Sequence, residues 1–401
     1  MIELTYRETL QKYPSLFPST PSEQAPDVIA YVDPKFKMPQ VWRSNLNVDI
    51  QLPYDFMLSV GAMYTRDIYN VAQINMNEAE PTGVYNEQPD RIYWASKKYE
   101  YNDYTNGKNV VVKLSNGEDK GYQYSFNAIL TKKYDFGFTG SIGYTYTMAK
   151  DLTANPGSAP NSAWQNNVAV NSLNDPGVSY SLFSTPHRII ANASYEINYA
   201  KCLKTTFSLF YSGYHTGRYS YTYYNDMNGD GNYSDLIYVP NSQDEMTFVD
   251  ITDKSGAITY SAVDQAKDFW DFVNNDSYLK DRKGKYVERN GSLTPWINRF
   301  DFKIAQDFYA TLGGRKYGIQ VSLDMLNVGN MINSKWGAYQ SCGLKSYDNV
   351  QLLKTASKVG EPLTYQINAN SREAFKERSS WQYTNTIGSA WSMQLGVKVT
   401  F

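Results

Sequence analysis

The sequence predicts an all-β protein: a partial antiparallel transmembrane β-barrel of about nine or ten strands with long extracellular loops. Three observations predict it. Apolar residues recur at every second position through successive segments, which is the side-chain period of a strand with one oily and one polar face. Short turns alternate with long polar connections, as in outer-membrane barrels. The chain also carries 36 Tyr, 17 Phe and 8 Trp in 401 residues, an aromatic load suited to girdles at both membrane interfaces. No run of about 18 or more apolar residues marks a membrane helix.

The strands follow in order. Leu46, Val48, Ile50 and Leu52 alternate with Asn45, Asn47, Asp49 and Gln51, and Pro53-Tyr54-Asp55 turns the chain into Phe56, Leu58, Val60, Ala62 and Tyr64. Tyr122, Tyr124, Phe126, Ala128 and Leu130 run to a turn at Lys132 to Asp135, and Phe136, Phe138, Ile142, Tyr144 and Tyr146 lead away from it. Ile189, Ala191, Ala193, Tyr195 and Ile197 are answered, after a turn around Tyr199 to Lys204, by Thr205, Phe207, Leu209 and Tyr211. Phe300, Phe302 and Ile304 are answered by Ile319, Val321, Leu323 and Met325 after a turn placed over Tyr309 to Lys316. The last strand sets Trp391, Met393, Leu395, Val397, Val399 and Phe401 against Ser392, Gln394, Gly396, Lys398 and Thr400. Long polar stretches lie near residues 73–109, 151–186, 225–296 and 330–380.

Composition narrows the function. A formal net charge of -2 and a mean hydropathy of -0.54 argue against a nucleic-acid partner and against a helical membrane protein. Two cysteines make neither a disulfide scaffold nor a zinc site. Cys202 falls in a short turn and Cys342 in a long loop, so they are expected at opposite ends of the barrel and unpaired. Two histidines and no nucleophile, phosphate-loop or metalloprotease motif leave no catalytic residue to name, and the expectation is not an enzyme. Met1-Ile-Glu-Leu-Thr-Tyr-Arg-Glu lacks the features of an export signal. Bacterial barrels made from one chain have an even strand number, and unpaired edges in lipid are costly. The expectation is therefore that residues 1–401 form the carboxy-terminal part of a larger barrel.

Three groups could carry a site. Asp226, Asn228, Asp230 and Asn232, with Gly231 at the sixth position, have the spacing of a calcium loop, because a hard cation wants six to eight oxygens and Gly permits the sharp turn. Position twelve is Ile237 rather than Glu, so Asp235 would have to substitute. The competing reading is a metal-free turn of Asn, Asp and Gly, and no cofactor is required. Arg299, Asp301 and Lys303 alternate with Phe300 and Phe302, and Asp324 lies on the following strand. The phase of the alternation sends these charges into the lumen, toward a plug or substrate path or into a cross-strand ion-pair ladder. Tyr214, His215, Arg218, Tyr219 and Tyr221 rise on the extracellular side, where aromatic rings could stack on a ligand or pack the loops together.

Several stretches resemble the carboxy-terminal half of a TonB-dependent outer-membrane receptor of the Oar-like kind. They are Asp33-Pro34-Lys35-Phe36-Lys37-Met38-Pro39-Gln40-Val41-Trp42-Arg43, Lys120-Gly121-Tyr122, Pro186-His187-Arg188, Arg218-Tyr219-Ser220-Tyr221, residues 226–240, Asn298-Arg299-Phe300-Asp301, Leu323-Asp324-Met325-Leu326-Asn327-Val328 and the terminal Phe401. The resemblance implies a 22-stranded barrel in a Gram-negative outer membrane, occluded by an amino-terminal plug and energised by the TonB complex. It implies that plug, TonB-contacting box and first half of the barrel lie outside this chain. The partners expected are outer-membrane lipid, TonB through the plug, the remainder of the receptor and a ligand held by the loops. The function expected is active import. The alternatives are a surface adhesion or binding protein anchored by its barrel, and a secreted calcium-dependent carbohydrate-binding β-protein.

Overall fold

In the computed structural model, residues 28–101, 110–342, 345–346, 349–368, 375, 381–384 and 386–401 are described. One antiparallel sheet dominates, with nine strands lying side by side in chain order. They are β1 (Gln40–Leu52), β2 (Phe56–Tyr69), β3 (Tyr122–Lys133), β4 (Phe138–Asp151), β5 (His187–Tyr199), β6 (Leu203–His215), β7 (Trp296–Leu312), β8 (Arg315–Leu326) and β9 (Ser392–Thr400). Among the described residues the sheet is not closed, and β1 and β9 are its two edges.

Register turns nine separate alternations into one surface. Ile50 lies opposite Leu58, which lies opposite Leu130, then Ile142, then Ala191. Farther along, Leu209 lies opposite Phe302, then Met325, then Met393. Directly opposed residues in an antiparallel pair share a face, so the oily positions expected from the sequence all fall on the same side. That side is uncovered: Phe126 is 54 %, Ile142 55 % and Leu395 72 % exposed. A contiguous apolar surface this large needs a non-aqueous neighbour, and strands of 9 to 17 residues are long enough to cross a bilayer at a tilt.

The short turns follow from backbone chemistry. Between β7 and β8 only Gly313 and Gly314 intervene, with φ of +58° and +80°, the pair of positive angles that a two-residue hairpin requires and that glycine adopts without strain. The turn placed over Tyr309 to Lys316 is therefore narrower than expected. Pairing continues through Tyr309 opposite Gly318 and Leu312 opposite Arg315. The turn after β3 sits later than expected, with Phe136 inside it and β4 starting at Phe138. Cys202 and Cys342 are not joined in a disulfide.

The described residues of the four long connections (70–121, 152–186, 216–295 and 327–391) fold together into a packed cap. Arg218–Tyr223 pairs in parallel with Asn349–Thr355 and antiparallel with Ser292–Leu293, and Thr364–Ile367 extends the sheet to Thr247–Phe248. Helix α1 (Ala262–Asn275) starts at Ser261, whose side chain accepts from the Asp264 N–H, a cap that satisfies one of the orphan donors of the first turn. Its Phe269, Phe272 and Val273 are buried in one core with Tyr85 from the first connection, Val168 from the second, Tyr221 from the third and Val350 from the fourth.

Ala128 sits between Val60 and Tyr144 on the oily face. Ala128→Arg is expected to cost about 2–4 kcal/mol of folding stability in vesicles if the site lies near mid-bilayer, read by urea titration. Ser125→Arg, on the other face opposite Met63 and Thr147, is expected to assemble normally. Equal losses at the two positions would contradict the assignment of faces.

Candidate functional site

The cap is organised around a guanidinium. Arg91 is fully buried and forms an ion pair with Asp235 at 3.4 Å. It also donates to the carbonyls of Val170 and Leu236 and to Gln88 Oε1 at 3.2 Å. Gln88 in turn donates from Nε2 to the hydroxyls of Tyr223 and Tyr365, each at 2.9 Å. The guanidinium lies 4.8 Å from the Tyr286 ring centre, within cation–π range. Arginine suits this place because its fixed fork of donors can serve several acceptors while staying charged. One side chain thus joins the first connection to the second and third, and through Gln88 to the fourth.

Beside it lies the acidic turn. Asp226 accepts the Gly229 N–H on Oδ1 at 2.8 Å and the Gly231 N–H on Oδ2 at 2.9 Å. Asn228 Oδ1 accepts from the Asp230 N–H at 3.0 Å, and Asp230 Oδ1 from the Asn232 N–H at 2.7 Å. Asp235 receives the Met227 N–H at 3.0 Å in addition to Arg91. Gly229 and Gly231 take φ of +84° and +95°, and a Cβ at Gly229 would meet the Trp94 carbonyl at 2.5 Å. The five residues read from the sequence as calcium ligands therefore lie in one turn, where oxygens of Asp226, Asn228, Asp230 and Asp235 are engaged by backbone amides and, at Asp235, by Arg91. Among the described residues, no three His, Cys, Asp or Glu side chains are placed to hold a metal ion.

Burial dominates the electrostatics here. Desolvation raises the pKa values of Asp226 and Asp230, with neighbouring carboxylates adding to the rise at Asp230. Desolvation pushes Asp235 up to about 7 against the opposing pull of Arg91. Burial, with the charges of Asp230, Asp226 and Glu78, raises the Tyr99 hydroxyl to about 12.

The turn forms one wall of an outward-opening cleft of about 570 Å³, within the roughly 300–1,000 Å³ typical of ligand clefts. Gln165 and Asn166 come from the second connection, Asn225, Asn232 and Tyr233 from the third, and Asn349 from the fourth. None of its lining residues carries a charge. Tyr224 and Tyr233 also line it and are exposed.

On the polar face of the wall, Lys303 Nζ meets Asp324 Oδ1 across β7 and β8 at 2.8 Å. Arg299 Nε lies 3.8 Å from Asp301 Oδ1, which also accepts the Asn327 N–H at 2.7 Å. All four charges share the face opposite to Phe300 and Phe302, as the alternation required. A second group stands nearer the short turns, where Lys204 lies 3.7 Å from both Glu196 and Asp307 and Gln320 donates to Asp307 at 2.9 Å.

A family model described as "Outer membrane beta barrel domain" matches residues 4–338. The chain belongs to the outer membrane β-barrel domain family. No curated protein and no solved structure matches it. Membership agrees with the exposed oily face and gives this barrel an outer-membrane location; among the described residues, no helix is long and apolar enough to cross a membrane.

The tyrosine group expected to face a ligand is engaged within this barrel and its cap. Tyr219 and Tyr221 are buried and exchange a hydroxyl hydrogen bond at 3.1 Å, and the Tyr221 hydroxyl donates to Asp276 at 2.8 Å. Arg218 is also buried, donates to the Asn290 carbonyl at 3.1 Å and lies 4.3 Å from the Tyr180 ring centre. His215 Nδ1 donates to the Thr294 carbonyl at 2.6 Å, and the Arg188 guanidinium sits 5.7 Å from the Tyr214 ring centre. The sequence does not single out Arg91 and Gln88, which stand in an aperiodic stretch with no motif around them, nor Tyr233, which lies inside the acidic motif but is not one of its oxygen-bearing positions.

Asp235 has a folded pKa of about 7, above the roughly 3.9 of an unfolded Asp. Its favourable contribution is complete below about pH 4 and is lost as pH rises through about 7. The cap is therefore expected to resist heat or protease better at pH 5 than at pH 8. At pH 8, Arg91→Ala is expected to cost about 3–5 kcal/mol by leaving a buried carboxylate without its partner, and, because Arg91 is the charge that pulls Asp235 down, to extend the pH-dependent loss to higher pH. Thermal scans across pH on both forms check it, and a flat profile for the intact protein would contradict it.

Proposed function

We propose that this barrel captures a ligand in the cleft of its cap and imports it as part of a TonB-dependent active transporter of a Gram-negative outer membrane. The observation that carries the reading is the uncharged, amide-rich cleft built by three connections above an unclosed wall. Its chemistry suits a neutral ligand rich in hydroxyl or amide groups. The exposed rings of Tyr224 and Tyr233 supply stacking area, and the surrounding Asn and Gln side chains supply both donors and acceptors.

The resemblance read in the sequence supports the rest of the mechanism. Strands from the remainder of the receptor would pair with β1 and β9, since bare strand edges are not tolerated in hydrocarbon. A plug would lie against the polar face, where the Lys303–Asp324 and Arg299–Asp301 pairs offer exchangeable partners. Pulling on the plug through TonB would open a path along that face. Capture would precede this step and need no energy.

Tyr233→Ala is expected to weaken capture of the cognate ligand by about tenfold, the loss of about 1.4 kcal/mol typical of an interface ring, without changing barrel assembly. A labelled oligosaccharide pool offered to cells with and without TonB tests the whole reading. Uptake that disappears without TonB while surface binding persists is the result expected. Uptake in both strains would replace the importer with a passive barrel, and binding without uptake in either would make it a surface adhesin.

A further inference from the structure

The outward wall carries a second hollow, on the opposite face of the sheet from the polar lumen side. Ala191, Leu209, Tyr211 and Phe300 line it from β5, β6 and β7, and Trp336 and Tyr383 line it from the fourth connection, around an open hollow of about 760 Å³. The residues from the strands belong to the oily stripe: Ala191 lies opposite Tyr211, and Tyr211 opposite Phe300. The hollow therefore opens onto the membrane side, at the end of the wall where the long connections begin.

Its walls are held in advance. Asn298 Oδ1 accepts from the Tyr211 hydroxyl at 2.7 Å and from Trp296 Nε1 at 3.0 Å, so two rings are tethered by one amide. The short helix Val328–Ile332 packs on β7, and Gly329 lies against both Trp336 and Phe300, where a Cβ would stand 3.6 Å and 3.9 Å from them. Lys335 lines the rim, with Nζ 5.8 Å from the Tyr383 ring centre and no carboxylate partner among the described residues. Gln340 also lines the hollow.

A greasy slot that continues the lipid-facing stripe, with a lone cation at its outer rim, matches one occupant in charge and polarity. We propose that this groove holds an acyl chain of lipid A, the phosphorylated glycolipid of the outer leaflet, with a phosphate beside Lys335 and a sugar hydroxyl beside Gln340. Three features favour the glycolipid over a phospholipid. The groove lies at the long-loop end, which faces outside in outer-membrane barrels. Its lining offers an amide as well as a charge. Its walls carry Trp296, Trp336, Tyr211 and Tyr383, the residue types enriched at headgroup level.

The test uses the full chain, extracted and purified in detergent, exposed to purified diphosphoryl lipid A in mixed micelles, with phosphatidylglycerol in a parallel arm. Bound lipid is counted by native mass spectrometry and by phosphate. The intact protein is expected to retain lipid A. Lys335→Glu is expected to retain at least tenfold less, and Ala191→Trp, which fills the hollow and keeps the rim charge, to lose it as well. Ala191→Trp adds apolar bulk on a face that already contacts lipid, and unchanged β-sheet content and protease resistance verify that both variants fold. Retention at the original level by either folded variant would overturn the proposal, as would retention of phosphatidylglycerol in preference to lipid A.

Discussion

A backbone in hydrocarbon has no water to bond with, so every N–H and C=O must find a partner in the chain. The nine-stranded ladder meets that demand across its width, and the rest of the architecture follows. Once the ladder is fixed, so is the phase of every side chain. The oily positions from Leu46 to Val399 go to one side, and Arg299, Asp301, Lys303 and Asp324 have no choice but the other. The same ladder brings the ends of the four long connections together at one rim, where they can build a common core.

That core is held by a different balance. Three carboxylates, Asp226, Asp230 and Asp235, are desolvated by the packing around them, while Arg91 alone supplies a buried positive charge directly to one of them. Burying charge is expensive unless it is paired and hydrogen-bonded. The turn answers with backbone amides aimed at Asp226 and Asp230, which is why glycines occupy its two left-handed positions. The acidic sequence that reads as a cation loop also closes a chain reversal on its own carboxylates.

The wall was legible because a period of two, a membrane face and an alternation of short and long connections all agree. What escaped was local extent: Gly313-Gly314 allows pairing to run right up to the reversal, so a stretch including Tyr309 that looked like turn is strand. In the cap the period of two carries less. Tyr219, Tyr221 and Tyr223 alternate with Ser220 and Thr222, and all five are buried, because core closes over both sides of that strand. Arg91 left no trace at all. Its role comes from partners 79 to 145 residues away, and no local pattern encodes contacts of that span.

A core fed by all four connections also limits how the cell surface of this protein can change. Loops that stand apart can be lengthened, shuffled or rewritten one at a time, as in antibody frameworks. Here a residue added near Tyr85 or Val350 disturbs packing supplied by the other three segments. Variation that escapes phage or antibodies would be confined to tips outside the shared interior and the cleft, such as the exposed Ile258. The cap should behave toward immune pressure as one antigen rather than as four.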